Sequence, residues 1–177
     1  MAVDRRSVTF GVAAAVFGAS EARAGSGDPV GWVVLASNES SLRLRIADYQ
    51  FPDIDDDEGD ANWLLIEGVV DLAGRGWRFR DPCLTTFEAN RLADWLDACA
   101  NGTPKDPYCD FIEPNLQFEL IDPKTLRIAF ALEAAPPWSE RGDDWTMHGF
   151  ELRVGPLLTQ AATELRSQLR QFPVRGS

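Results

Sequence analysis

The residues with the densest capacity for chemistry lie between positions 53 and 60. Asp53, Asp55, Asp56, Asp57, Glu58 and Asp60 make six of these eight residues acidic. Carboxylates at such spacing could bind a cation, repel nucleic acid or dock on a basic protein. Asp53, Asp55 and Asp57 match the first, third and fifth ligand positions of a calcium loop. An EF-hand also requires glycine at the sixth position and a bidentate glutamate at the twelfth. Here those positions hold Glu58 and Leu64, and the flanks read as strands. A dedicated EF-hand is therefore not expected, although an exported protein could still take up calcium adventitiously.

Charge narrows the other two uses. The chain carries 28 acidic and 17 basic residues, for a net charge of -11. Only Lys105 and Lys124 are lysines. Phosphate backbones are held by clustered lysine and arginine that release counterions, so nucleic-acid binding is not expected. Complementary fields do speed encounters between an acidic protein and a basic one. The plainer role of the same charge is solubility.

Catalysis finds little support. The single histidine, His148, belongs to no H-E-x-x-H pattern, and no G-x-S-x-G elbow occurs. Between Met147 and Gly149 at the start of a strand, a lone histidine is more often structural. Glu113 and Glu119 could form a glycosidase-like pair, but a pair can be picked from any acidic chain. The expectation is a binding protein, not an enzyme, with no cofactor. Trp138 and Trp145 are further candidates for a partner surface, because tryptophan is enriched at binding hot spots. They share a Pro-rich, acidic loop, and the alternative for either ring is to cover the edge of the core. Cys99 and Cys109 flank the turn Asn101-Gly102-Thr103-Pro104. A disulfide between them fits an exported protein; in the cytoplasm both would be small apolar residues. Cys83 reads as a buried thiol.

The elements that must position these residues alternate apolar and polar side chains. Trp32 to Ala36 is a short strand. Ser41 to Tyr49 is a half-buried strand with Leu42, Leu44 and Ile46 inward and Arg43 and Arg45 outward. After the acidic loop, Ala61 to Leu72 is a strand with Trp63, Leu65, Ile66 and Val69 contributing to the core and Gly68 marking a bulge. Ala73 to Gly76 is a hairpin turn, and Trp77 to Arg80 the returning strand. Thr85 and Glu88 form a capping box that opens a helix from about Thr86 to Ala100, ended by Asn101-Gly102. Asp110 to Leu120 and Thr125 to Glu133 form another hairpin. Phe150 to Val154 is a last strand, and Pro156 opens a final helix with a stripe of Leu158, Ala161, Ala162, Leu165 and Leu169. The sum is an α+β domain over residues 32–177: an antiparallel sheet of six or seven strands with two packed amphipathic helices.

Ahead of it, residues 25–31 read as a linker and residues 1–24 as an export signal. Arg5-Arg6 precede a weakly apolar run from Val8 to Ala19, and Ala22-Arg23-Ala24 is an A-x-A cleavage pattern. The paired arginines resemble a twin-arginine signal, with Asp4 and Val8-Thr9 departing from its usual pattern. The alternatives are an N-terminal helix or a tail. No apolar run is long enough to cross a membrane, so the mature domain is not expected to insert.

Taken together, YQFPDIDDDEGDANWL, GWRFRDPCLTT, LADWL, EPNLQFEL, APPW and QFPVRG resemble the WapI family of bacterial immunity proteins, over about residues 41–176. The resemblance implies a small cytoplasmic antidote that binds and neutralises the toxic domain of a contact-dependent toxin, of which the best-known type is an RNase acting on tRNA. A basic partner for the acidic loop follows from charge, not from the resemblance. The N-terminal segment points the other way, to the periplasm or another site outside the cytoplasm. An exported binding protein of the envelope, with or without calcium, is the alternative reading.

Overall fold

The computed structural model describes residues 31–139 and 148–176. The two segments of export signal and linker therefore lie outside the described residues, Gly31 excepted, and so does Trp145.

The first half of the domain is a meander of four antiparallel strands, β1 (Val33–Ala36), β2 (Ser40–Tyr49), β3 (Trp63–Leu72) and β4 (Arg75–Thr85), paired in chain order. Helix α1 (Thr86–Ala100) follows. A second sheet, β5 (Tyr108–Cys109), β6 (Leu116–Asp122), β7 (Thr125–Phe130) and β8 (His148–Arg153), is again antiparallel and in chain order, and helix α2 (Pro156–Leu169) closes the domain. The α+β class and the two helices agree with the sequence reading. The single sheet of six or seven strands does not: eight strands divide into two sheets of four. The short β5 and the break in pairing at α1 leave no alternation from which the division could be read.

In β2 the alternation works as expected, with Leu42, Leu44, Ile46 and Tyr49 buried. In β3 it runs opposite to the expectation for three residues. Leu64, Ile66 and Val70 are buried, whereas Trp63, Leu65 and Val69 lie on the other, half-exposed face. Both faces of this strand are apolar, so the pattern alone could not choose. Gly68 marks no bulge, because it pairs in register with Leu44 and Phe79. Its missing side chain makes room for Phe79, whose ring would lie 2.0 Å from an added Cβ. The register shifts fall instead between Ile46 and Asp48 of β2 and between Leu64 and Ile66 of β3.

On its other edge β2 outruns β1, whose last pair is Val33 with Leu44, so the buried Ile46 N–H must find another acceptor. The buried Gln168 of α2 supplies it, accepting from Ile46 N at 2.8 Å and donating to Gly31 O at 2.8 Å. Arg166 holds α2 to α1 through Asp94, at 2.8 Å, and Asp97. The predicted capping box is present: Thr85 Oγ1 accepts from Glu88 N, and the Glu88 carboxylate accepts from Thr85 N at 2.8 Å. One apolar core runs through both sheets and both helices, and Trp77 of β4 meets Phe130 of β7 edge to face with ring centroids 5.4 Å apart.

Candidate functional site

The acidic segment forms the loop between β2 and β3. At its base Gln50 N donates to Trp63 O at 2.8 Å, extending the pairing of the two strands. Asp57 then folds the tip on itself. Its Oδ1 accepts from Gly59 N and Asp60 N, both at 2.8 Å, while its carbonyl accepts from Ala61 N at 3.0 Å. A short 3-10 turn, Asp60–Asn62, leads into β3.

The C-terminal tail holds the loop from the other side. Arg175 donates to the carbonyls of Pro52 at 3.1 Å and Ile54 at 3.0 Å, with Phe51 O at 3.5 Å. Its guanidinium lies 3.5 Å from the centroid of the Tyr49 ring, a cation–π contact. The Tyr49 hydroxyl donates to Pro173 O. Burial pushes this phenol up and the Arg175 charge partly offsets the push, so the group is a neutral donor. Buried Asn62 joins both segments: its Nδ2 donates to Glu58 O and Arg175 O, and its Oδ1 accepts from Arg175 N. Gly176 passes so close to the loop that an added Cβ would sit 2.7 Å from Glu58 N.

The tail thus fixes the loop through backbone carbonyls and leaves the carboxylates alone. All six acids are exposed. Among the described residues none takes part in an ion pair, and only Asp57 uses its carboxylate to shape the loop. Also among the described residues, no group of three or more aspartate, glutamate, histidine or cysteine side chains is arranged to hold a metal ion. Sequence reasoning located the loop and assigned its support to the strands from Ala61 to Arg80. It missed Arg175, Tyr49 and Asn62; the sole signal was the basic residue near the end of the short tail after α2.

Trp138 lies elsewhere. Its half-buried ring meets Trp77 edge to face at 5.3 Å and carries the Arg75 guanidinium 4.0 Å from its centroid. Arg75 opens β4 at the hairpin turn, where Ala73 and Gly74 both have positive φ. The acidic loop adjoins the opposite end of β3, a 10-residue strand roughly 30 Å long. The structure therefore does not bring Trp138 to the acidic loop.

The remaining candidates are scattered. Cys83, Cys99 and Cys109 are buried free thiols. Burial pushes Cys99 up to about 12, with neighbouring Cys109 adding to the effect, and burial pushes Cys109 up to about 11 against the pull of Arg91. These thiols are protonated and unreactive at neutral pH. His148 Nε2 lies 3.0 Å from Ser139 Oγ at the start of β8. Glu119 pairs with Tyr108 and Arg127 in the second sheet, while Glu113 is exposed in the preceding loop. Glu113, with Glu133, instead bears on Asp81, whose carboxyl is raised first by burial and then by these two charges. Asn115 bridges Asp81 and Glu133 at 3.1 and 3.2 Å.

No helix among the described residues is long and apolar enough to cross a membrane. Comparison with curated proteins and with solved structures gives no match. The model of the immunity protein WapI-like family does match, over residues 34–173, from β1 to Pro173 after α2. The chain belongs to the immunity protein WapI-like family.

Proposed function

We propose that the chain neutralises a contact-dependent bacterial toxin by stoichiometric occlusion, without catalysis or a cofactor, and that Asp53, Asp55, Asp56, Asp57, Glu58 and Asp60 dock on a basic surface of the toxic domain. The observation that carries this reading is the division of labour in the loop: Arg175 holds its backbone through carbonyls while the carboxylates face solvent. A charged surface fixed in advance loses little conformational freedom on binding, and opposite fields accelerate the encounter. A nuclease acting on tRNA suits this partner role, since the surface that holds RNA must be basic. Trp138 is left to packing, and Trp145 is assigned a secondary contact.

The test captures the toxin partner with the native chain, replaces all six acids with their amides, and measures association of the captured domain with each form. The expected result is an on-rate at least about tenfold slower and a flattened salt dependence. An unchanged rate with an unchanged salt slope would overturn the interface.

The Arg5-Arg6 segment and Ala22-Arg23-Ala24 favour a second reading, an exported binding protein of the envelope. An antidote to a cytoplasmic nuclease keeps its N-terminus and stays inside the cell. A mature chain starting at Gly25 in a periplasmic fraction would favour the exported role.

A further inference from the structure

Beside the acidic loop runs a groove of about 500 Å³, lined chiefly by Glu58, Trp63, Phe87, Arg91, Phe111 and Ile112. Phe87 is 45% exposed and Ile112 is 70% exposed. Neither is needed to close the core. Helix α1 buries Ala89, Leu92, Leu96 and their neighbours on its other face. Isolated exposed hydrophobes are ordinary, but two large ones lining one groove form a surface that gains free energy when covered.

The walls of the groove are rigid. The buried Glu88 carboxylate, already bound to the start of α1, accepts from Ile112 N at 2.7 Å through its other oxygen. Arg91 donates to Asp110 O. Phe111 sits edge to face on Phe118 with centroids 6.0 Å apart. The side chains of Phe87 and Ile112 are thus presented on a hydrogen-bonded backbone that a ligand need not order.

The charge around the groove selects what can enter. Glu58 belongs to both groove and acidic loop, Asp110 adds an exposed carboxylate to the lining, and exposed Glu113 follows Ile112 in the chain. The one cation, Arg91, is turned to the Asp110 carbonyl and lies 3.9 Å from Glu88. We propose that the groove takes an apolar side chain flanked by lysines or arginines on the toxin partner, so that one basic segment engages groove and acidic loop together. This inference rests on the toxin-docking reading above and adds the anchor that charge alone does not provide.

The experiment uses the isotope-labelled full chain and two synthetic probes: an arginine-rich peptide with one central leucine, and the same peptide with serine in its place. Amide chemical shifts are followed on titration at low and high salt. The leucine peptide is expected to move the amides of Phe87 and Ile112 and to bind about tenfold more tightly than the serine peptide. That difference is expected to vanish in Phe87→Ser and in Ile112→Ser, each of which alters an exposed side chain. If both peptides move residues 53–60 alike and spare Phe87 and Ile112, the groove proposal fails while the acidic docking surface stands. If neither peptide moves either region, both fail. Dimerisation of the free chain that Ile112→Asp abolishes would assign the groove to a second copy and overturn the proposal.

Discussion

The two ends of the first sheet use their conspicuous residues in opposite ways. At the hairpin end, Trp77 meets Trp138 edge to face, Arg75 lies over the Trp138 ring, and the Trp77 indole N–H is bound to Ala134 O at 3.0 Å. Their side chains are part of the fold. At the other end the acidic side chains support almost nothing, and the fold is held by backbone carbonyls drawn onto Arg175. The hairpin end can therefore change little in sequence without loss of structure. The acidic end can change its other charges freely, provided an acceptor at Asp57, the carbonyls and Arg175 remain. A surface that must fit one partner among many is best built on the second plan.

The largest effect that tests this comparison comes from Trp77→Ala. Trp77 is buried between the sheets and holds Phe130 and Trp138. Removing such a side chain from a packed site costs about 3–5 kcal/mol. Urea unfolding is expected to show that loss, while toxin association measured well below the transition stays near the native value. A loss below about 1 kcal/mol would mean that the hairpin end is not the structural one.

Arg175→Ala addresses the other end and is expected to cost less. Hydrogen bonds from a charged donor are worth about 1.5–3 kcal/mol when well shielded, and Arg175 is only half-buried. The loss should be local. Hydrogen exchange is expected to show lower protection at Gly59, Asp60 and Ala61 with little change in α1 or the second sheet. Toxin affinity should fall although no carboxylate has been altered. Arg175→Lys should restore little, because a shorter lysine lacks the planar guanidinium that lies over the Tyr49 ring while its Nη1 reaches the Pro52 and Ile54 carbonyls. Uniform loss of protection across the domain would show that the tail supports the whole fold and not the loop.

This contrast also explains what could be read from the sequence. The acidic loop was legible because clean alternation in β2 ends at Tyr49 and a new strand begins shortly after the acids. The capping box at Thr85 was legible because its four residues are adjacent. Arg175 was not, since it meets Ile54 across 121 residues and no local pattern records so distant a contact. Trp138 was half legible: its type suggested an anchor, and nothing local revealed that Trp77 and Arg75 already occupied its faces. The division into two sheets was hidden for a related reason. Alternation shows that a strand has a buried face but not which strand lies beside it.

The smallest effect concerns an acid that the fold half buries. Asp81 on β4 has its carboxyl raised from its ordinary value, chiefly by burial and then by Glu133 and Glu113. A carboxyl raised in the folded state favours folding when protonated. That contribution is full below the unfolded value of about 3.9 and is lost as pH rises through the folded value. At neutral pH ionised Asp81 therefore weighs against the fold. Asp81→Asn removes the charge, and its carbonyl oxygen can still accept from Asn115. The variant is expected to gain a little stability at about pH 7 and to lose that advantage at about pH 3.5, where native Asp81 is protonated as well. Thermal unfolding at both pH values measures the difference. An equal gain at both would trace the effect to packing instead of charge. A loss at neutral pH would show that the Asp81 carboxylate supports the fold, and the contrast between a half-buried acid that opposes folding and exposed acids left for a partner would fail at its buried side.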